Sequence, residues 1–368
     1  MVHKNNSDAW SSAVLARCQN PFMFTAITTE RLVLRPVRLE DASSVATRRS
    51  DPDTAQYQSW TVPYPLERAD ALVAAVVAMD GPRSEEWYMI AIADPDTGEM
   101  LGDLALYLKW EGRTAEIGYT LNPDSRGMGH ATEAVAGLLD YLFETLEVTR
   151  VEASLHPENV ASARVLERTG FLYEGLTRSD YWVGDEVGDT AHYAMLRTDL
   201  ERWRSRPRDT PGDVRLIEIG VHNEGDVRRL ATHKTQEAYV APMLPSFADA
   251  LFPGVVDGAP VVPWVRAVAA DGEVAGFVML ALTTEHHPEP FLWRLLIDRF
   301  QQHRGIGRRV LDLIVEHCRE WGDTTLLTSW GTGPGSPEPF YVAYGFEPTG
   351  DILDGEVEGR FRFGSAQL

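Results

Sequence analysis

Cysteine is scarce in this chain: among 368 residues only Cys18 and Cys318 carry a thiol. That pair supports neither a disulfide framework nor a cysteine-based metal spacing, and a reducing cytoplasm is the expected compartment. Long hydrophobic runs are missing as well. The longest, residues 71–79, falls far short of the roughly 20 apolar residues that a membrane-spanning helix needs. The opening MVHKNNSDAW has no apolar segment of the kind a secretory signal carries, so residues 1–25 read as a polar extension. Positive charge is also in short supply. Lys and Arg number 34 against 55 Asp and Glu, for a net charge of −21. Both halves share the deficit, with −12 over residues 1–206 and −9 over 207–368. This balance argues against nucleic-acid backbones and anionic membranes as partners. It suits a cationic substrate, and equally it suits plain solubility.

What the chain does contain, it contains twice. A turn at Asp96-Thr97-Gly98-Glu99 separates the alternating runs WYMIAIA and MLGDLALYL; Asp271-Gly272-Glu273 separates WVRAVAA and VAGFVMLAL in the same way. Gly-containing turns between such runs signal hairpins. Glycine-rich turns follow at NPDSRGMGHATEAV and QQHRGIGRRVL, and then the pairs Gly170-Phe171 and Gly345-Phe346. From Gly98 to Gly272, Gly129 to Gly305 and Gly170 to Gly345 the offsets are 174, 176 and 175 residues. Three landmarks in one order at one spacing indicate two copies of a single fold. RSRPRDTPGD interrupts the periodicity between them. The expected organisation is therefore an extension over 1–25, a domain over 26–204, a linker over 205–213 and a second domain over 214–368.

Each copy reads as an α/β (α+β) unit, a mostly antiparallel mixed sheet flanked by helices. After the first glycine turn, Ala131, Val135, Leu138, Leu139, Leu142 and Phe143 keep a helical apolar face. Val310, Leu311, Ile314, Val315 and Cys318 do so after the second. A strand, a glycine turn and a helix start together expose unpaired N–H groups near the positive end of a helix dipole, a geometry suited to a pyrophosphate. Neither turn is a dinucleotide fingerprint, because no third glycine follows. Neither is a P-loop, because the Lys-Ser/Thr pair is absent. A plain strand-to-helix corner remains the alternative for each turn taken alone.

Both turns match Arg/Gln-x-x-Gly-x-Gly/Ala, and in this they resemble the acyl-CoA pyrophosphate motif of the GNAT superfamily of N-acetyltransferases. The first copy resembles the ribosomal-protein N-terminal (alanine-type) acetyltransferases through TTERLVLRPVRLEDA, AEIGYTLNPDSRGMGHATEA and HPENVASARVLERTGF. The second is similar to the polyamine and small-amine acetyltransferases through WRLLIDRFQQHRGIGRRVLD and PEPFYVAYGFEPTGD. The resemblance implies acetyl-CoA as co-substrate, with no metal, and direct attack of a primary amine on the thioester. The acceptor would be a small cationic amine, a polyamine, an antibiotic, or a peptide or protein N-terminus. A homodimer is compatible with the sequence.

Carried over residue by residue, the resemblance implies CoA contacts at Arg126, Gly127, Met128, Gly129, His130 and Ala131 in the first copy. The corresponding set in the second is Gln302, His303, Arg304, Gly305, Ile306, Gly307 and Arg308. A backbone amide near Leu121 or Ile297 would face the thioester or pantetheine. Glu116 becomes the candidate general base of the first copy; the alternative is an exposed strand carboxylate paired with a neighbour. Asn159 and Ser162 match positions near the CoA sulfur, and either also serves as a helix cap. Leu166 stands where the second copy has Tyr341, the candidate general acid toward the CoA thiolate; a core tyrosine is its alternative. GTGPGSPEP, residues 331–339, departs from the family's asparagine region. Glu285, Asp354 and Glu356 are the candidate bases of the second copy. His286-His287 reads as a loop pair, since neighbouring histidines point apart and no further ligands are spaced around them. The acceptor pockets are expected around residues 55–80 and 238–262. Two other readings stay open: a non-catalytic acyl-CoA-binding regulator, or one catalytic copy beside a degenerate one.

Overall fold

The computed structural model describes residues 23–183, 186–256 and 258–364. Cys18 and most of the expected N-terminal extension lie outside the described residues. The chain divides into two compact units, one ending at Arg204 and the other beginning at Ser205.

In the first unit eight strands form one sheet in the order β1-β2-β3-β4-β5-β6-β8-β7. They are β1 (Ile27–Thr28), β2 (Val33–Pro36), β3 (Trp87–Ala93), β4 (Met100–Lys109), β5 (Thr114–Leu121), β6 (Arg150–Leu155), β7 (Leu172–Val183) and β8 (Glu186–Leu196). The helices are α1 (Ala42–Ser50), α2 (Pro52–Ala55), α3 (Leu66–Val77), α4 (His130–Asp140), α5 (Val160–Thr169) and α6 (Arg197–Ser205). Alternation in WYMIAIA and MLGDLALYL produces the central β3–β4 hairpin. Its turn is closed by Asp94, whose Oδ1 accepts from the N–H groups of Asp96 and Thr97 at 3.0 and 2.8 Å. Ala134, Val135, Leu138 and Leu139 of α4 are buried, as the helical spacing requires. Leu142 and Phe143 are buried too, but in a π-helical turn over Tyr141–Thr145 that ends the helix.

The second unit has its own sheet in the order β16-β17-β15-β14-β13-β12-β9. The elements run β9 (Val214–Ile217), α7 (Glu224–Arg229), α8 (Met243–Leu251), β10 (Val255–Val256), β11 (Ala259–Pro260), β12 (Pro263–Ala270), β13 (Glu273–Ala281) and β14 (Phe291–Ile297). Then follow α9 (Ile306–Trp321), β15 (Thr325–Trp330), α10 (Glu338–Tyr344), β16 (Glu347–Leu353) and β17 (Glu356–Arg362). The apolar face of α9 packs Val310, Leu311, Ile314, Val315 and Cys318 against Leu326, Trp330 and Phe346. Burial pushes the Cys318 thiol up to about 12, so it stays protonated and inert at neutral pH.

One detail of each sheet positions the site. β5 and β6 run parallel, paired only at Thr114↔Arg150, Ala115↔Val151 and Glu116↔Glu152. β14 and β15 are also parallel, paired only at Phe291↔Leu327 and Leu292↔Thr328. Beyond those residues the strands separate, and each sheet is split at its centre. The other pairings between named strands in both sheets are antiparallel. The two copies share another glycine besides the three landmarks. A Cβ at Gly102 would stand 2.3 Å from the carbonyl oxygen of Thr120, and one at Gly276 would stand 2.4 Å from that of Leu296. In each unit a bare backbone lets the end of the split strand lie close against its neighbour. A register shift opposite Met279 and Leu280 leaves Trp293 as an extra residue of β14, a bulge that β5 lacks against β4.

Candidate acyl-CoA sites

In the first unit the glycine turn hangs from the end of β5. Asn122 is held there by Arg48, whose Nη1 donates to its Oδ1 at 3.0 Å, and by the carbonyl of Met100 at 2.7 Å. Arg48 is itself buried, paired with Asp103 and donating to Thr120 Oγ1 at 3.1 Å. Removing either charge would strand the other in the core. A 3-10 turn over Pro123–Ser125 leads into Gly127 and Gly129, at φ 75° and 82°, and α4 begins at His130. Both glycines occupy left-handed backbone that other residues rarely adopt. The first N–H groups of α4 have no helical acceptor and face the turn.

Three side chains surround this turn. Arg126 Nη2 is engaged with Asp51 Oδ2 at 2.6 Å and with Thr54. Hydrogen bonds from the Thr54 hydroxyl and then from Arg126 lower the Asp51 carboxyl to about 2. Arg126 thereby ties the turn to the start of α2. His130 is half-buried beside Asp94, and its Nδ1 is enclosed without a hydrogen-bond partner among the described residues. Arg31, which sequence reasoning missed, lies over the turn: its Nη1 donates to the Met128 carbonyl at 2.9 Å, and its Nε to Glu133 Oε2 at 2.7 Å. Burial alone would raise the Glu133 carboxyl, but hydrogen bonds from Thr29 and Arg31 outweigh it and hold the group ionised. A carboxylate in the first turn of α4 would repel an anionic ligand, and Arg31 neutralises it. Met128 is exposed, and Ala131 is half-buried in the first turn of α4.

Farther along the split, Glu116 is the last residue of β5 paired with β6. Lys109 bridges it to Glu152, with Nζ 2.7 Å from both carboxylates, so the paired-carboxylate alternative describes its surroundings. Asn159 caps α5, accepting from the Ser162 N–H at 3.1 Å. Ser162 is drawn toward the split because its carbonyl accepts from the Tyr119 hydroxyl at 2.7 Å. Its own hydroxyl is also hydrogen-bonded with the Tyr119 phenol. Leu166 is fully buried. Tyr57 stacks on His156 with ring centroids 5.0 Å apart, which places the loop after α2 beside the start of α5.

The second unit holds a cavity of about 1260 Å³. Ile297, Gln302, His303, Gly305, Ile306, Gly307, Arg308 and Tyr341 all line it. The two glycines of the motif serve different ends. Gly305 caps α9 at φ 78°, whereas a Cβ at Gly307 would press within 3.2 Å of the Phe340 ring. Gln302 exchanges amide hydrogen bonds with Gln236 at 2.9 and 3.2 Å and donates to the Ile297 carbonyl at 3.0 Å. Arg304 is not among the lining residues. It is buried, donating to the Asp209 carbonyl at 2.8 Å and pairing with Asp271 at 3.2 Å, and so braces the turn from behind. Arg308 lies over the Tyr344 ring, 5.5 Å from its centroid.

Tyr341 sits in α10, stacked on Trp330 at 5.7 Å between centroids. Burial pushes its phenol up to about 12, outweighing a hydrogen bond with Thr328. It therefore carries its proton at neutral pH while facing the cavity. Among the candidate bases, Asp354 and Glu356 line the cavity and Glu285 does not. His286 and His287 line it as well; His287 Nε2 lies 2.9 Å from the Val256 carbonyl. No group of three or more His, Cys, Asp or Glu among the described residues could hold a metal ion. Nor is any helix among the described residues long and apolar enough to cross a membrane. Tyr239, Val240, Val256 and Val261, within the stretch expected to form an acceptor pocket, line the cavity too. So does Glu358, which the sequence analysis did not single out.

Comparison with known proteins places both halves. Residues 31–172 match the family model described as acetyltransferase (GNAT) domain, and residues 226–346 match acetyltransferase (GNAT) family. The chain is 35% identical to the uncharacterized N-acetyltransferase p20 of Bacillus licheniformis over 46% of its own length and 96% of that protein. It is 30% identical to the ribosomal-protein-serine acetyltransferase of Escherichia coli over 23% of its length and 47% of that enzyme. Among solved structures, that of Mycobacterium smegmatis RimJ in complex with CoA-disulfide has 27% identity. The match covers 48% of this chain and 89% of the other, with a TM-score of 0.42.

Proposed function

The chain belongs to the GNAT family of N-acetyltransferases in both of its halves, and on that premise we propose that each half binds acetyl-CoA at its glycine turn and that the protein acetylates a primary amine in a ternary complex. The observation that carries this reading is the second unit's cavity. It joins the helix start at Gly305, the parting of β14 from β15 and the protonated phenol of Tyr341.

The pyrophosphate lies against the N–H groups at the start of α4 or α9, where backbone dipoles stabilise it. The pantetheine arm runs into the gap between the split strands, whose unpaired backbone groups are free to hydrogen-bond it. Leu121 and Ile297 stand at that edge. Holding both substrates in line supplies much of the rate. The amine nitrogen attacks the thioester carbon, the C–S bond breaks, and the departing thiolate takes a proton. In the second unit Tyr341 donates that proton; in the first, the Ser162 hydroxyl, joined to the Tyr119 phenol, is the corresponding donor. Glu116 receives a proton from the acceptor in the first unit once Lys109 is displaced from it. The acidic surroundings of both sites suit an acceptor that arrives as a cation. A relative's action on ribosomal protein supports a protein or peptide N-terminus as one acceptor class for the first unit.

Release of free CoA from acetyl-CoA across a panel of amines tests the reading. Amine-dependent release is expected. Tight CoA binding with no release for any amine would point to a regulatory acyl-CoA-binding protein instead.

A further inference from the structure

The second unit's proton acceptor was not identifiable from the sequence, and the structure offers a residue that none of the expected bases includes. Glu358 lies within β17, opposite Ser329 of β15. Ser329 is the first residue past Thr328, where β15 stops pairing with β14, so Glu358 stands beside the opening of the split. Strand alternation puts it on the face shared with Glu356 and Arg360. Val357 and Phe361 project to the other face, where they pack with Trp330 and Tyr341. The cavity is lined by both Tyr341 and Glu358 and therefore passes through the gap from one face of the sheet to the other.

The neighbouring carboxylates are already occupied. Glu356 accepts from the Ser329 hydroxyl, and Glu289 is paired with Arg360 at 2.8 Å. Glu358 is only 8% exposed, yet among the described residues its carboxylate has no hydrogen-bond or ion-pair partner. Its side chain lines the cavity, where a positive charge or donor protons from a ligand would satisfy it.

We infer that Glu358 is the residue that receives the acceptor's ammonium group in the second unit and takes its proton, so that this site selects amines that arrive protonated. The inference rests on the acetyl-transfer reading of this cavity. The ammonium docks against the carboxylate, with Trp293 and Tyr239 in the surrounding wall, which suits a cation. One proton passes from nitrogen to Glu358, and the free amine attacks the thioester carbon from that face of the sheet. The C–S bond breaks, the thiolate takes the proton of Tyr341 on the opposite face, and the tyrosinate recovers one from the nitrogen as it becomes an amide. Glu358 returns its proton to water, and one proton is released per turnover.

The test uses the full chain carrying Gly129→Glu, so that only the second cradle is open, with spermidine as the amine probe. Three quantities are measured with and without Glu358→Gln: acetyl-CoA affinity, spermidine affinity for the CoA-loaded protein, and amine-dependent CoA release. Acetyl-CoA affinity should be unchanged, spermidine binding about tenfold weaker, and kcat/KM for the amine about 100-fold lower. Glu358→Asp, which keeps the charge, should recover part of both losses. Equal rates for Glu358→Gln and its parent, spermidine binding that does not respond, or a parallel loss of acetyl-CoA affinity would each overturn the assignment. Absence of acetyl-CoA binding in the parent would instead sink the acetyl-transfer reading itself.

Discussion

Tyr341 and Leu166 occupy corresponding places before the two Gly-Phe pairs, and the difference between them is chemical. A phenol held up at about 12 by burial keeps its proton at neutral pH and so still has it when the thiolate departs. Tyr341→Phe keeps the ring that stacks on Trp330 and deletes only the hydroxyl. With the first cradle closed, kcat should fall about 100-fold, the scale of a lost general acid, while the KM for acetyl-CoA stays put. Equal damage to both constants in steady-state kinetics would mark a packing role. Arg31 allows a separate test in the first unit. Arg31→Ala removes a cation from the turn and uncovers Glu133, so CoA affinity at that site should drop about tenfold, the scale of one charge-assisted hydrogen bond. Calorimetric titration checks this, and an unchanged affinity would confine Arg31 to bracing the turn.

At the scale of elements, each cradle is a strand end, a turn and a helix start held by contacts from elsewhere. Gly276→Ala would force a Cβ to within 2.4 Å of the Leu296 carbonyl. Overpacking of this kind costs about 1–3 kcal/mol, read by denaturant unfolding, and should weaken CoA binding in the second unit by shifting the end of β14. Asp51 links α2 to Arg126 in the first unit. Its carboxyl is lowered from 3.8 to about 2, so its contribution is present above the ordinary carboxylate value and is lost as pH falls through about 2. Asp51→Ala should cost about 1 kcal/mol as a lost cap near neutral pH, with the difference from wild type disappearing in strong acid. Unfolding curves across pH check the sign.

Much of this level was legible in the residues. Gly129 and Gly305 declare their positive φ through the turn pattern, and the faces of α4 and α9 follow from helical spacing. The roles of Arg126, Arg304 and Gln302 did not follow. Their side chains are engaged by Asp51, Asp209, Asp271 and Gln236, partners brought in by the fold. Gly307 looked like part of a phosphate turn, but the space it leaves is filled by Phe340. Glu358 could not be found by pattern at all, because Glu356, two residues away on the same face, looks just as suitable until its partner Ser329 is known.

For the whole molecule, the central claim is that one fold occurs twice and that both copies keep a working CoA cradle. The split sheet, the close-approach glycines Gly102 and Gly276, and the left-handed glycines at both helix starts recur in the two units. The differences fall on the chemistry beyond the cradle, where one unit has Ser162 and Glu116 and the other Tyr341 and Glu358. The most direct measurement is the stoichiometry of CoA binding by calorimetry to the full chain and to Gly129→Glu and Gly305→Glu. Each substitution puts a charged side chain into its own cradle, at a left-handed position unsuited to it. Two equivalents should bind to the wild-type chain and one to each variant. Two equivalents in both variants would contradict the account.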